Sequence, residues 1–119
     1  MTKVVRGVVF ALLEDKEHEG EARVWVRDAA TDYWFSLSRA ADSDTIELMV
    51  SDQLTYVGSD LRVALSPSAI NVAIGDSAAT LDGHREYLIE FHPESHDVAT
   101  VGSVLKVIFR GQPGLQLDI

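Results

Sequence analysis

Apolar and polar residues alternate with period two through much of the chain, the pattern of strands that bury one face. Val4-Val5-Arg6-Gly7-Val8-Val9-Phe10-Ala11-Leu12-Leu13 is a nearly continuous apolar run and predicts a core strand. The charged run from Glu14 to Glu21 follows, with a glycine near its end, and resists burial. It predicts a solvated hairpin loop with antiparallel strands on either side. In the second of these, Ala22, Val24 and Val26 alternate with Arg23, Trp25 and Arg27. A short turn over Asp28-Ala29-Ala30-Thr31 leads to a third alternating run, Tyr33 to Arg39, in which Tyr33, Phe35 and Leu37 share one face. A four-residue turn there predicts Trp25 and Trp34 as a cross-strand aromatic pair on the opposite face.

After the polar turn Ala41-Asp42-Ser43-Asp44, the run Thr45 to Val50 places Ile46, Leu48 and Val50 on one side of a further strand. Leu61 to Leu65 and Ala69 to Ile74 form two more alternating runs, with Ser66-Pro67-Ser68 as the turn between them. Proline presets φ there, and the serines bond local backbone. Residues 76–82 predict one or two helical turns, with Asp76 as cap and Gly83 as stop. Glu86 to Phe91 predicts the next strand. Val98, Val101, Leu105, Ile108 and Phe109 then fall on one helical stripe, with Ser95 placed to cap its start and Gly111 to end it. Gly102 and the β-branched run Val104 to Phe109 leave a strand open as the other reading. The expected architecture is a single α+β domain over residues 1–119: a mainly antiparallel sheet, a short helical turn near 76–82, and a C-terminal helix near 96–110 packed on the sheet.

Composition narrows the functional classes. Nineteen acidic against ten basic residues give a formal charge of −9, which opposes direct nucleic-acid binding. The excess is spread along the chain, with six basic and eleven acidic residues in positions 1–59 and four and eight in positions 60–119. The absence of cysteine removes disulfides, thiolate nucleophiles and cysteine-based zinc sites, and is compatible with a reducing cytoplasm. The apolar stretch at the start is short and interrupted by Arg6, so no membrane span or secretory signal is expected from it.

Candidate chemistry is sparse. His92-Pro93-Glu94-Ser95-His96-Asp97, with His84 upstream, has the composition of a metal site. Pro93 biases His92 away from helical geometry, so the two imidazoles are not expected on one helix face, and no metal or other cofactor is expected. No Gly-x-Ser-x-Gly elbow or phosphate-binding glycine loop is present, so no catalytic residue is assigned. Trp25, between Arg23 and Arg27, and Trp34 lie on the phase opposite the core residues of their strands. Such tryptophans serve as interface anchors; the other reading is a sheet covered on both sides, or arginines stacked on the indoles.

The order of elements carries a resemblance. It extends from Tyr33-Trp34-Phe35-Ser36-Leu37-Ser38-Arg39 through Ile46-Glu47-Leu48-Met49-Val50, Tyr56-Val57-Gly58, Leu61 to Leu65 and Ile70 to Ile74. It continues through Ala78-Ala79-Thr80-Leu81 and Leu88-Ile89-Glu90-Phe91 to Val104-Leu105-Lys106-Val107-Ile108-Phe109. This succession resembles the immunity protein 10 family, and Val57-Gly58-Ser59 departs from that family's double-glycine turn. The resemblance implies a cytoplasmic, non-enzymatic immunity protein that binds and neutralises a cognate protein toxin of a bacterial polymorphic toxin system. It favours the helix for residues 97–110. On that reading Trp25, Tyr33 and Trp34 are the expected anchors, with Glu17, Glu19, Asp28, Asp32, Asp42 and Asp44 as charged surroundings that steer the partner. Two other classes stay open: a structural scaffold or homodimer paired through an edge strand, and a metal-assisted enzyme using His84, His92 and His96.

Overall fold

The structure, a computed structural model, describes residues 2–13, 22–28, 30–40, 44–58, 60–75, 81–92 and 97–118. The strands are β1 (Thr2–Leu13), β2 (Ala22–Asp28), β3 (Trp34–Arg39), β4 (Ile46–Val50), β5 (Leu54–Gly58), β6 (Leu61–Leu65), β7 (Ala69–Ile74), β8 (Glu86–Phe91) and β9 (Leu115–Leu117). A helix, α1 (Val98–Ile108), stands between β8 and β9, and a 3-10 turn at Ser51–Gln53 joins β4 to β5. All nine strands form one sheet in the order β5-β4-β3-β2-β1-β8-β7-β6-β9.

The alternation assigns the faces correctly. Ala22, Val24 and Val26 are buried and Arg23, Trp25 and Arg27 exposed. The inward sets Ile46, Leu48, Val50; Leu61, Val63, Leu65; and Ile70, Val72, Ile74 all enter one continuous core. The sheet curls strongly around that core. In a flat sheet β3 and β8, three strand spacings apart, would stand about 14 Å from each other. Yet the Phe35 and Tyr87 rings have centroids 5.4 Å apart. Helix α1 packs on this inner side against β2, β1 and β3, burying Val101, Gly102, Val104, Leu105 and Ile108.

Four expectations need correction. First, the sheet is mainly antiparallel as expected but not wholly so, because β1 pairs with β8 in parallel and β6 with β9 in parallel. Strand β1 serves two partners: Thr2–Gly7 runs beside β8 and Gly7–Leu13 beside β2. Gly7 is the pivot, and a Cβ there would stand 2.0 Å from the Arg27 carbonyl oxygen. Where β1 leaves β2, the Asp28 carboxylate takes the place of ladder backbone, accepting from the Arg6 N–H at 3.2 Å.

Second, Leu81 and Asp82 are not helical. Leu81 and His84 exchange two backbone hydrogen bonds of 2.9 Å, with Asp82 and Gly83 between them at φ 53° and 77°. Two consecutive left-handed residues define the tight hairpin turn that Asp-Gly favours, so Gly83 is a turn residue and not a helix stop. Residues 76–80 lie outside the described residues. Third, the helix starts at Val98, and its cap is Asp97, whose carboxylate accepts from the Ala99 N–H at 3.0 Å; Ser95 lies outside the described residues. Gly111, at φ 75°, follows the helix in the left-handed conformation that helix ends favour. Fourth, the β2–β3 register opposes Trp25 to Ser36 and Arg27 to Trp34, so the two tryptophans are not a pair. Asp28 N–H donates to the Tyr33 carbonyl at 2.7 Å, moving the turn one residue later than expected.

The far end of α1 is held by the sheet. Arg39, 9% exposed on the inner face of β3, donates from Nη1 to the Ile108 carbonyl at 3.1 Å and to the Arg110 carbonyl. A buried guanidinium thus satisfies two carbonyls that the helix end leaves without intrahelical donors. No helix among the described residues is long and apolar enough to cross a membrane.

Candidate interaction groove

Register places the side chains on the outer face of five strands in rows, Ser38 among them being buried by its neighbours. One row runs Phe10, Trp25, Ser36, Met49, Thr55 across β1 to β5. Beside it lie Val8, Arg27 and Trp34, and on its other side Leu12, Arg23, Ser38, Glu47 and Val57. Ser36 is the short residue between Trp25 and Met49, so the surface sinks there. The result is an open groove of about 810 Å³ lined by Trp25, Trp34, Ser36 and Met49, with Arg23, Arg27, Asp32, Tyr33 and Glu47 around them.

Trp25 is 38% exposed. Its indole is stacked on Phe10, centroids 4.5 Å apart and planes inclined by 24°. The stack pre-orders the indole, so ordering it costs little when a partner covers it. Trp34 is half-buried, and its backbone N–H donates to Ser51 Oγ at 2.9 Å, tying the groove wall to the 3-10 turn. Arg27 Nε donates to Asp32 Oδ1 at 2.9 Å, and a second guanidinium nitrogen reaches the same oxygen. Asp32 is in position for this because its backbone adopts φ 65° in the β2–β3 turn. The pair is exposed on both sides and adds little to stability.

Tyr33 lines the groove but directs its hydroxyl elsewhere, donating to Asp82 Oδ2 at 2.9 Å. Lys3 Nζ stands 4.6 Å from the centre of its ring. Burial, then hydrogen bonding with Tyr87 and Asp82, pushes the Tyr33 hydroxyl far above the ordinary tyrosine range. Tyr87, buried beneath it, donates to the Leu81 carbonyl at 2.7 Å. The phenols thus fasten the 81–84 turn to the sheet.

Of the acidic residues expected around the anchors, Asp32 lines the groove, whereas Asp28 and Asp44 are placed elsewhere. Asp28 is only 8% exposed. Its carboxylate accepts from the N–H groups of Arg6, Ala30 and Thr31. Those bonds, the Arg6 one foremost, hold its pKa below the usual carboxylate value. Asp28 is therefore part of the framework. Asp44 lies by the segment after α1, where Gln112 Nε2 donates to its carbonyl at 2.7 Å. Glu17, Glu19 and Asp42 lie outside the described residues. The groove itself carries two arginines, Arg23 and Arg27, against Asp32 and Glu47, so the overall charge of −9 is not concentrated in it.

Ser36 and Met49 line the groove and Phe10 supports Trp25 beside it, and none of the three was singled out from the sequence. The phase of Arg6 is the signal for Phe10: a charge at an even position of β1 marks Val4, Val8, Phe10 and Leu12 as its outward companions. Among the described residues no group of three or more histidine or acidic side chains is placed to hold a metal ion. His84 packs edge-on against Tyr87, centroids 5.9 Å apart, and His92 donates its backbone N–H to the Gly7 carbonyl; His96 lies outside the described residues. Comparison with family models, curated proteins and solved structures returns no match.

Proposed function

We propose that this protein is a non-enzymatic immunity protein that neutralises a bacterial toxin in the cytoplasm by occupying it, with the groove across β2, β3 and β4 as the contact surface. The observation that supports this reading is the Trp25–Phe10 stack: a large, pre-ordered aromatic surface outside the core, beside a hollow floored by Ser36 and walled by Trp34 and Met49. Aromatic residues and methionine in a concave site with a charged rim are the composition of interface centres. The resemblance to the immunity protein 10 family supplies the class of partner. The acidic excess acts at longer range, raising the encounter rate with a basic toxin surface.

The test is co-expression with the toxin domain encoded by the reading frame directly upstream. Two variants address the groove without touching the core: Trp25→Ala removes the anchor, and Ser36→Tyr fills the hollow. A central anchor is worth about 2 kcal/mol or more, so each variant should raise the dissociation constant roughly thirtyfold and weaken growth protection. The change should appear in the dissociation rate, whereas added salt should slow association. Full protection by both folded variants refutes the groove, and failure of the wild-type chain to protect refutes the immunity reading.

A further inference from the structure

We propose that the β5 edge of the sheet is a second docking element, which receives an extended segment of the partner protein as an added β-strand with a basic residue at the end that meets Asp60. The proposal rests on the reading that the chain binds another protein. Strand β5, Leu54-Thr55-Tyr56-Val57-Gly58, ends the sheet on one side. Leu54 on its inner face and Val57 on its outer face are 40% and 53% exposed, so the strand is open on both faces. Among the described residues, the backbones of Leu54, Thr55 and Val57 pair only with β4. Sheets usually guard such an edge with lysine, proline, a bulge or an inward charge. These five residues include no charge and no proline.

An unguarded row of backbone donors and acceptors is complementary to another extended backbone, and its five residues span about 17 Å. Charge decides which backbone. A second copy paired along this edge would bring together two chains that each carry −9, each with an exposed Asp60 at the end of its edge. A foreign strand with lysine or arginine at the end beside Asp60 meets the opposite situation. The exposed Asp60 carboxylate is held at the end of the edge by the Tyr56 hydroxyl, at 2.7 and 2.9 Å from its two oxygens. Glu47 stands beside Val57 on the neighbouring strand. The edge is also continuous with the groove, since Thr55 completes the row Phe10, Trp25, Ser36, Met49. A strand added at β5 widens that same surface.

The experiment uses the full chain and two blocked hexapeptides at millimolar concentration, Lys-Val-Thr-Val-Thr-Lys and Glu-Val-Thr-Val-Thr-Glu, read by amide NMR shifts and hydrogen exchange. The lysine peptide should slow exchange within residues 54–58 and shift Asp60. The glutamate peptide should bind about tenfold more weakly, as two reversed end charges imply. Val57→Lys, at an exposed position, should abolish the effect while leaving the remaining amide spectrum unchanged. No protection of residues 54–58, equal binding of both peptides, or concentration-dependent protection without peptide overturns the proposal, the last by showing a second copy on the edge. The toxin assay separates the two readings: loss of growth protection in Trp25→Ala but not in Val57→Lys leaves the groove standing and removes the edge.

Discussion

Replacing Arg39 with methionine should separate the helix from the sheet more effectively than any surface change. Arg39 is 9% exposed, and its guanidinium donates to the carbonyls of Ile108 and Arg110 at the C-terminal end of α1. Hydrogen bonds from a charged donor contribute about 1.5–3 kcal/mol each, and a cation in a partly buried site at a helix C-terminus adds up to about 2 kcal/mol. Against this, methionine of similar length removes the desolvation cost of a buried cation. The net expectation is a loss of about 2–4 kcal/mol, roughly 10–15 °C in Tm for a chain of this size. Urea denaturation followed by circular dichroism measures it, with amide exchange over residues 105–110 locating it. Arg39→Lys keeps the charge but has no fork to span two carbonyls, so it should fall between the two. A loss below about 1 kcal/mol for Arg39→Met, or unchanged exchange at the helix end, refutes the assignment of this side chain as the helix clamp.

Asp28 and Gly7 give two further outcomes at the place where β1 changes partner. Hydrogen bonds to the ionised form hold the Asp28 pKa below its unfolded value, so its stabilising contribution is present above the ordinary carboxylate pKa and is lost as pH falls through the lowered folded value. Asp28→Asn should therefore cost about 1–2 kcal/mol at pH 7, with the gap to wild type closing in acid; a gap independent of pH, read from denaturant curves between neutral and acid conditions, contradicts this. Gly7→Ala places a methyl group against the Arg27 carbonyl and should cost about 3 kcal/mol, whereas Val8→Ala, one residue along on the outer face, should cost under about 1 kcal/mol by the same measurement.

Alternation was legible because one face of each strand meets the core, which is why the inward sets of β2, β4, β6 and β7 could be read directly. Arg39 was legible only in part. It shares the phase of Phe35 and Leu37, and a charge at a core-phase position signals a buried partner without naming it. The division of β1 between β2 and β8 left no trace in the pattern, because both halves keep the same faces; parallel pairing joins residues more than eighty positions apart. Residues 81–84 were misread because Asp-Gly satisfies both a helix end and a two-residue turn, and only the mutual hydrogen bonds of Leu81 and His84 decide between them. The groove depends on register. Moving the β2–β3 turn one residue along shifts each cross-strand partner by two positions, which keeps every side chain on its face but puts Ser36, not Trp34, opposite Trp25. The tryptophans were thus identifiable as outward-facing, while the hollow between Trp25 and Met49 was not.

The charged residues divide by face, and that division links the fold to the proposed activity. Arg39 and Asp28 point inward and are committed to backbone: one holds the helix end, the other the point where β1 parts from β2. Both are taken up by these contacts, and neither is available to a partner. Arg27 and Asp32 point outward, neutralise one another, and leave the aromatic groove without a dominant sign. Covering the groove therefore strands no unpaired buried charge, the condition that makes desolvation of an interface expensive. Affinity on this reading comes from the shape around Trp25, and the net charge of −9 acts earlier, while the partner approaches. Because the groove residues are largely outside the core, changes at Trp25 or Ser36 alter recognition with small effects on folding, whereas changes at Arg39 or Gly7 act through the curl of the sheet that holds the groove in place.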